Sequence, residues 1–242
     1  MQTNPNPAQP AGTISFLHSK PFDLLDATDC DLKNGVVMKN FIFKYNLYFL
    51  AATGVTAAIY TAVNWSTMPV LQRMVGLIFP LYVLHELEEF KFPGGFAEMA
   101  MSSLDFSLPK PEASKLVVTL GIFTVAFVPF FFHQVAWLAI APMLLGIGEL
   151  FAHFGMVRLF KLERFYSPGM VTSVLMAPVS IYCIIYVIQN NLMQPVAWLF
   201  SILYIVTVFL IGQVTVVRIN GMSYFEFIKN GRASVLAKLN QK

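Results

Sequence analysis

Six apolar segments constrain the fold of this chain more than any other feature of its sequence. They lie near residues 44–64, 70–90, 115–132, 134–157, 170–189 and 195–217. An α-helix rises 1.5 Å per residue, so about 20 apolar residues cross the ~30 Å hydrocarbon core of a bilayer. Each segment is long enough, or nearly long enough, to do so. The sequence therefore predicts an all-α, polytopic bundle of about six transmembrane helices.

The composition supports a membrane environment and disfavours other partners. The 242 residues are 57% hydrophobic and only 12% charged, whereas soluble domains carry about 25% charged residues. No extended basic stripe or nucleic-acid-binding motif is present, so we expect the lipid bilayer, and not nucleic acid, as a partner. The two cysteines, Cys30 and Cys183, form neither a disulfide framework nor a cysteine-rich zinc motif.

The basic residues predict how the chain crosses the membrane. If all six segments cross, 15 of the 16 Lys and Arg residues fall on one side, and only Arg73 falls on the other. Basic residues concentrate on the cytoplasmic side of membrane proteins, so both termini are predicted to be cytoplasmic. The N-terminus lacks the pattern of a cleaved signal peptide. We expect an integral protein of a bacterial inner membrane whose first transmembrane helix directs insertion.

Three regions follow from these patterns. Residues 1–40 are expected to be an N-terminal arm that is partly disordered, because its first residues are rich in Pro, Asn and Gln. Residues 41–218 are expected to be the transmembrane helical domain, and 219–242 a basic cytoplasmic tail. In the longest loop, residues 97–106 are predicted to form a short amphipathic helix at the cytoplasmic interface.

One stretch of the second segment, Leu84-His85-Glu86-Leu87-Glu88-Glu89-Phe90, concentrates ionisable groups in an apolar chain. Each such group at depth costs roughly 2.5–3.5 kcal/mol on insertion scales, which favours a functional role. On a helix His85 lies beside Glu88 and Glu89, while Glu86 points away. The spacing is similar to metallopeptidase H-x-x-E-H helices, whose outer residues bind zinc and whose inner Glu is a base. Because Glu89 replaces the second His, the site is richer in oxygen and suits zinc, iron or manganese.

A second polar pair lies in the fourth segment, where Glu149 and His153 share a helix face at a spacing of four residues. With the N-terminus inside, the second and fourth segments both run towards the cytoplasm, and both pairs lie near their ends. We therefore expect the two pairs at similar depth, near the cytoplasmic leaflet. Small residues around the second pair are expected to permit close helix packing: Gly146, Gly148 and Gly155.

These positions give a predicted set of roles. His85, Glu89 and His153 would bind a divalent metal. Glu149 is a candidate catalytic residue, and it could also be a fourth ligand or the hydrogen-bond partner of a ligand. Glu88 would be the general acid or base, since burial can let a carboxyl exchange protons near neutral pH. The simpler interpretation is a hydrogen-bonded polar cluster that only locks helices together.

A short motif follows the fourth segment, Tyr166-Ser167-Pro168-Gly169, with Thr172 one turn further on. Ser167 is predicted to be the N-cap of the fifth transmembrane helix, because Ser before Pro is typical of helix starts. That helix begins on the side of the His/Glu pairs, so the motif is a candidate rim of the same site.

Taken together, these residues resemble the HXXEE-domain family of small polytopic membrane proteins, named for the motif formed here by His85, Glu88 and Glu89. The segment ending in His153 and the later Tyr-x-Pro-Gly-x-x-Thr pattern also resemble that family, over roughly residues 70–190. The resemblance implies a polar site in a helical membrane domain, but no established reaction. Glu149 departs from it, because the family is expected to carry an amide such as Asn there.

Two classes of function remain open from the sequence. The first is a metal-dependent enzyme acting on a lipid or other small apolar substrate, with hydrolysis by a metal-activated water preferred over oxidative di-iron chemistry. A metal-free variant of that class would protonate an isoprenoid-like substrate with a buried carboxylic acid. The second class is a non-enzymatic transporter or scaffold. A transporter is disfavoured because the polar residues gather on one side and do not cross the membrane.

Overall fold

The computed structural model describes residues 24–104 and 106–240, and this part of the chain contains helices and no strand. The helices are α1 (Leu24–Val63), α2 (Val70–Phe90), α3 (Phe96–Leu104), α4 (Pro111–Ile122), α5 (Val128–Phe131), α6 (Ala136–Leu159), α7 (Met170–Gln189), α8 (Pro195–Ile219) and α9 (Tyr224–Asn240). Among the described residues, six segments are long and apolar enough to cross a membrane. They are Phe41–Val63, Val70–Phe90, Pro111–Phe131, Ala136–Leu159, Met170–Gln189 and Pro195–Ile219. The predicted all-α class and the six apolar spans are confirmed.

The chain forms two compact units, Met1–Phe41 and Ile42–Lys242. The described part of the first unit is the beginning of α1. The disorder predicted at the start of the N-terminal arm lies outside the described residues.

The third span contains a wide helical turn for which the sequence gives a clear reason. A π-helical turn, Phe123–Phe127, joins α4 to α5. Pro129 has no amide hydrogen, so it cannot donate to a carbonyl of the preceding turn. The Tyr204 hydroxyl, from α8, donates to the Thr124 carbonyl at 2.5 Å. The neighbouring span thus satisfies a backbone acceptor that this helix leaves free.

The short helix predicted in the longest loop is present as α3, and it lies against α9. The Phe106 and Phe227 rings meet edge to face with centroids 5.5 Å apart, and the Ser234 hydroxyl donates to the Leu104 carbonyl at 3.2 Å. Part of the chain predicted to be a basic tail is therefore helical and packed. The division into arm, membrane domain and tail remains a prediction.

The core lies where α2, α6 and α7 pack together. Its largest fully buried side chains include Ile78, Phe79, Tyr82, Ile140, Met143 and Met176. The Tyr82 hydroxyl donates to the Pro142 carbonyl at 2.7 Å, which satisfies both polar groups inside an otherwise apolar interface.

Close approach between α6 and α7 depends on one glycine. A Cβ atom added to Gly146 would lie 2.7 Å from Ser180 Oγ, whereas one added to Gly148 or Gly155 would meet nothing within 4 Å. The prediction of close packing is confirmed at Gly146 and is wrong at Gly148 and Gly155. Those two residues lie on exposed parts of α6, which sequence spacing did not distinguish from its packed face.

Candidate metal site

A polar cluster lies where the ends of α2 and α6 meet the start of α7. His85 and Glu89 occupy successive turns of α2, and His153 faces them from α6. Relative exposures are only 2% for His85, 6% for Glu89 and 0% for His153. One potential ligand atom from each of these residues lies within 4.8 Å of the others. This buried group could hold a metal ion.

The distances within the cluster suit a single ion. Glu89 Oε1 lies 3.6 Å from His85 Nε2 and 3.4 Å from His153 Nε2. Glu149 Oε2 lies 3.9 Å from each of the same two nitrogens. Ligands about 2.0–2.2 Å from a tetrahedral ion are separated from one another by roughly 3.3–3.6 Å. Small side-chain movements would therefore bring these atoms to coordinating distance.

The surroundings of His85 determine which of its nitrogens faces the cluster as an acceptor. Its Nδ1 atom lies 3.0 Å from the Gly169 carbonyl oxygen and 3.0 Å from Thr172 Oγ1. Because a carbonyl can only accept, Nδ1 carries the proton and Nε2 keeps its lone pair. A histidine that donates its outer N–H to a carbonyl or hydroxyl group is the usual arrangement of a metal ligand.

His153 is held in a similar way, and one of its ring nitrogens is buried without a hydrogen-bond partner. Its Nδ1 atom lies 3.0 Å from Ser167 Oγ, and its Nε2 atom is buried without a hydrogen-bond partner. An unsatisfied buried polar atom costs about 1–3 kcal/mol. The neighbouring atoms, Glu89 Oε1 and Glu149 Oε2, are also acceptors. Acceptor atoms that face one another need a cation between them, either a proton or a metal ion.

Glu88 lies on the other side of Thr172 and makes a different set of contacts. Its Oε1 atom accepts from the Tyr166 hydroxyl at 2.9 Å and the Val171 amide at 3.1 Å. Its Oε2 atom accepts from the amide and hydroxyl of Thr172 at 2.9 and 2.6 Å. The short hydroxyl contact makes Thr172 the donor to Glu88, so Thr172 Oγ1 can accept from His85 Nδ1. Glu88, Thr172 and His85 thus form one hydrogen-bonded chain.

The hydrogen bonds of Glu88 also cap the start of α7, a role that the sequence predicted for Ser167. The N-cap of α7 is Gly169, which makes no side-chain capping bond, so the prediction of Ser167 as N-cap is wrong. The Ser167 hydroxyl contacts His153 instead. Glu88, from α2, accepts the free amides at the start of α7, where a negative charge is also favoured by the helix dipole.

Tyr166 supports this cap from the loop between α6 and α7. Burial and the hydrogen bond to Glu88 raise the pKa of Tyr166 to about 12. The phenol therefore stays protonated and donates to Glu88 throughout the physiological pH range. The motif predicted as a rim of the site does lie beside it.

Gly169 is required at this position for two reasons. Its φ of +93° is rarely adopted by other residues. A Cβ atom there would lie 2.6 Å from His153 Cε1 and 2.7 Å from His85 Cε1. Both imidazoles thus pack directly against the Gly169 backbone, which fixes their separation.

The other carboxylates of this region differ in how far their side chains are exposed. The Glu149 side chain is 20% exposed, whereas that of Glu89 is only 8% exposed. Glu86 interacts electrostatically with Glu89 and Glu149. It is buried, and its Oε2 atom has no hydrogen-bond partner. Glu149 is therefore the more accessible of the two carboxylates that face the imidazoles.

The fold and the cluster define an all-helical protein with six membrane-length helices and a buried His/Glu group able to hold a metal ion. Residues 76–183 match the family model described as "Protein of unknown function with HXXEE motif". The predicted resemblance to the HXXEE family is thereby confirmed over these residues, which include the whole cluster and the Tyr166–Thr172 motif. The last long span, α8, lies outside the match. No curated protein and no solved structure gives a significant match.

The sequence predicted which residues come together, but not all of the groups that hydrogen-bond to them. His85, Glu89, Glu149 and His153 converge as expected, while Glu88 turns towards α7. Sequence reasoning missed the contacts of Ser167 and of the Gly169 carbonyl with the imidazoles. The available signal was the position of the Tyr166–Thr172 motif, which begins a helix on the side of the His/Glu pairs.

Proposed function

We propose that this protein is a metal-dependent membrane enzyme that hydrolyses a lipid or another apolar substrate at one face of the bilayer. The proposal rests mainly on one observation. The two imidazole Nε2 atoms and the oxygens of Glu89 and Glu149 face one another in an apolar bundle, and His153 Nε2 has no partner. Zinc, iron and manganese all suit two imidazoles with carboxylate oxygens.

The residues have distinct roles in this proposal. His85, Glu89 and His153 bind the ion through Nε2, Oε1 and Nε2. A divalent ion supplies Lewis-acid polarisation and the activation of water at neutral pH. The Gly169 carbonyl keeps His85 in the tautomer that presents Nε2. The Ser167 hydroxyl contacts Nδ1 of His153, which leaves the Nε2 atom of that ring to face the ion.

Glu149 is the residue we assign to proton transfer. It lies at equal distance from both Nε2 atoms and is the more exposed of the two carboxylates in the cluster. It can therefore accept a proton beside the ion and pass it to a leaving group. Glu88 was predicted to be the general acid or base. Its four hydrogen bonds favour a positioning role through Thr172 and His85.

The proposed site lies in the cytoplasmic half of the membrane. His85 and Glu89 are in the last turns of α2, and His153 is within two turns of the end of α6. The distribution of basic residues predicts that these ends face the cytoplasm. A lipid could then present its polar end to the cluster while its apolar part stays in the bilayer.

The metal content of the purified full-length protein tests the proposal. We expect about one equivalent of zinc, iron or manganese in the wild type by elemental analysis. We expect its loss in His85→Ala and His153→Ala, and its retention in His133→Ala, a histidine of the turn between α5 and α6. Circular dichroism and size-exclusion chromatography in detergent establish that each variant is folded.

A folded wild type that binds no metal after reconstitution with each ion would refute the proposal. Acid catalysis on an isoprenoid-like substrate, or a scaffold role, would then account better for the cluster. Two ions per chain would instead favour the oxidative di-iron alternative.

A further inference from the structure

An apolar groove lies between α4 and α8, beside the end of the bundle that carries the cluster. Its volume is about 370 Å³, within the roughly 300–1,000 Å³ typical of ligand pockets. Its walls are formed by residues that include Val117, Gly121, Ile122, Val208, Gly212 and Val216. The polar side chain of Gln213 is occupied, because its Oε1 atom accepts from the Tyr224 hydroxyl at 2.9 Å.

Two glycines set the width of this groove. A Cβ atom on Gly121 would lie 4.0 Å from a Val208 methyl group, and one on Gly212 would lie 3.9 Å from a Val117 methyl group. These are ordinary contact distances, so neither helix packing nor backbone geometry requires glycine there. A single added carbon at either glycine would already contact a valine, so a larger side chain at either position would fill the groove there.

One end of the groove lies beside the His/Glu cluster. Phe96, the first residue of α3, lines the groove, and its ring packs against that of His153 with centroids 6.0 Å apart. Phe106 and Phe227 line the same end. The opposite end lies deeper in the spans, at Ile122 and Val208. The groove therefore runs from the cluster into the depth of the bundle, with Phe96 as the wall between them.

We propose that this groove binds the fatty acyl chain of the substrate, with the polar end at the cluster and the methyl end near Ile122 and Val208. The inference rests on the proposed function, because the cluster supplies the chemistry for the polar end. The apolar lining of the groove and its contact with the cluster through Phe96 distinguish it from the lipid-exposed helix faces. Phe96 would separate the hydrocarbon chain from the polar centre.

Photolabelling of the full-length protein in phosphatidylcholine nanodiscs tests the inference. The probes are two palmitic acid analogues, with a diazirine close to the carboxyl group or close to the methyl end. We expect the first to label α3 near Phe96, and the second to label α4 and α8 near Ile122 and Val208, as located by peptide mass spectrometry.

Three Gly→Leu variants supply the matched comparison. Gly121→Leu and Gly212→Leu place a side chain in the groove, and each is expected to reduce its labelling roughly tenfold, equivalent to about 1.4 kcal/mol. Gly155→Leu makes the same change at an exposed position of α6 with nothing within 4 Å. It is expected to leave groove labelling unchanged and so controls for the effect of the substitution on folding.

Metal content is measured on the same samples, so a failure of the groove proposal can be distinguished from a failure of the proposed metal chemistry. Labelling spread evenly over all lipid-exposed helices, or insensitive to the two groove variants, refutes the groove even if metal is bound. Stronger labelling by a diazirine farnesol than by the palmitic acid probes refutes the acyl assignment. Groove-specific labelling by palmitic acid in a protein without metal supports the groove and refutes the proposed metal chemistry.

Discussion

Substitution of Glu88 by Gln separates a helix-capping role from a catalytic one. Each Glu88 oxygen accepts one backbone amide of α7, from Val171 at 3.1 Å and from Thr172 at 2.9 Å. Gln has the same shape but replaces one oxygen with an NH₂ group, which can only donate. Whichever way the Gln amide is turned, one backbone amide loses its acceptor.

The structure sets the size of the effect. A buried amide left without an acceptor costs about 1–3 kcal/mol. Loss of the negative charge at the N-terminus of α7 costs about 0.3–1 kcal/mol more. We expect Glu88→Gln to lower the free energy of unfolding by about 1.3–4 kcal/mol. Taking roughly 2–4 °C per kcal/mol for a chain of this size, the Tm falls by about 3–16 °C.

Thermal unfolding in detergent, followed by intrinsic fluorescence, measures this change. Tyr166→Phe is the matched control, because it removes a single hydrogen bond from Glu88 Oε1 and leaves both amides satisfied. It should lower the stability by only about 1 kcal/mol. A Glu88→Gln variant with wild-type Tm and full metal content, but no activity, would refute the capping role and restore Glu88 as the general acid or base.

Four further predictions concern the cluster. Thr172→Val removes the hydroxyl between His85 and Glu88, and should weaken metal binding about 10–100-fold in a chelator competition, whereas Thr172→Ser retains it. Gly169→Ala should abolish stoichiometric metal binding while far-ultraviolet circular dichroism stays helical, since its Cβ would displace both imidazoles; full metal content would contradict the packing described. Metal affinity should fall as the pH is lowered, because protons compete with the metal for both imidazoles, and pH-independent titrations would exclude histidine ligands. Chelation should lower the Tm, since an ion at 100 times its Kd adds about 2.7 kcal/mol; an unchanged Tm would exclude a site confined to the folded state.

Much of the fold was predictable because the bilayer constrains sequence strongly. A span must be long, apolar and helical, so composition alone located six segments. The residues of the cluster were predictable for a related reason. Ionisable groups are costly in lipid, and residues four apart share a helix face, so His85 with Glu89 and Glu149 with His153 stood out as pairs.

The role of Glu88 was not predictable from spacing. Neighbouring residues on a helix point about 100° apart, so Glu88 and Glu89 must face different partners. Which partner each one meets depends on how α2 is rotated against α6 and α7, and that rotation is set by the packing of many apolar side chains. The same uncertainty explains why only Gly146, among the three glycines of α6, lies at a close helix contact.

Residues 167–172 hydrogen-bond to both imidazoles, and this has a consequence for the order in which the site is assembled during synthesis. All the proposed ligands precede residue 154, so they leave the ribosome before the carbonyl and hydroxyl groups that orient them. A nascent chain that has completed α6 therefore holds the full set of donor atoms with neither imidazole fixed. Only when α7 enters the membrane and docks its first amides on Glu88 are the histidines locked. Metal uptake would then report the insertion of the fifth span, before α8 has followed it into the membrane.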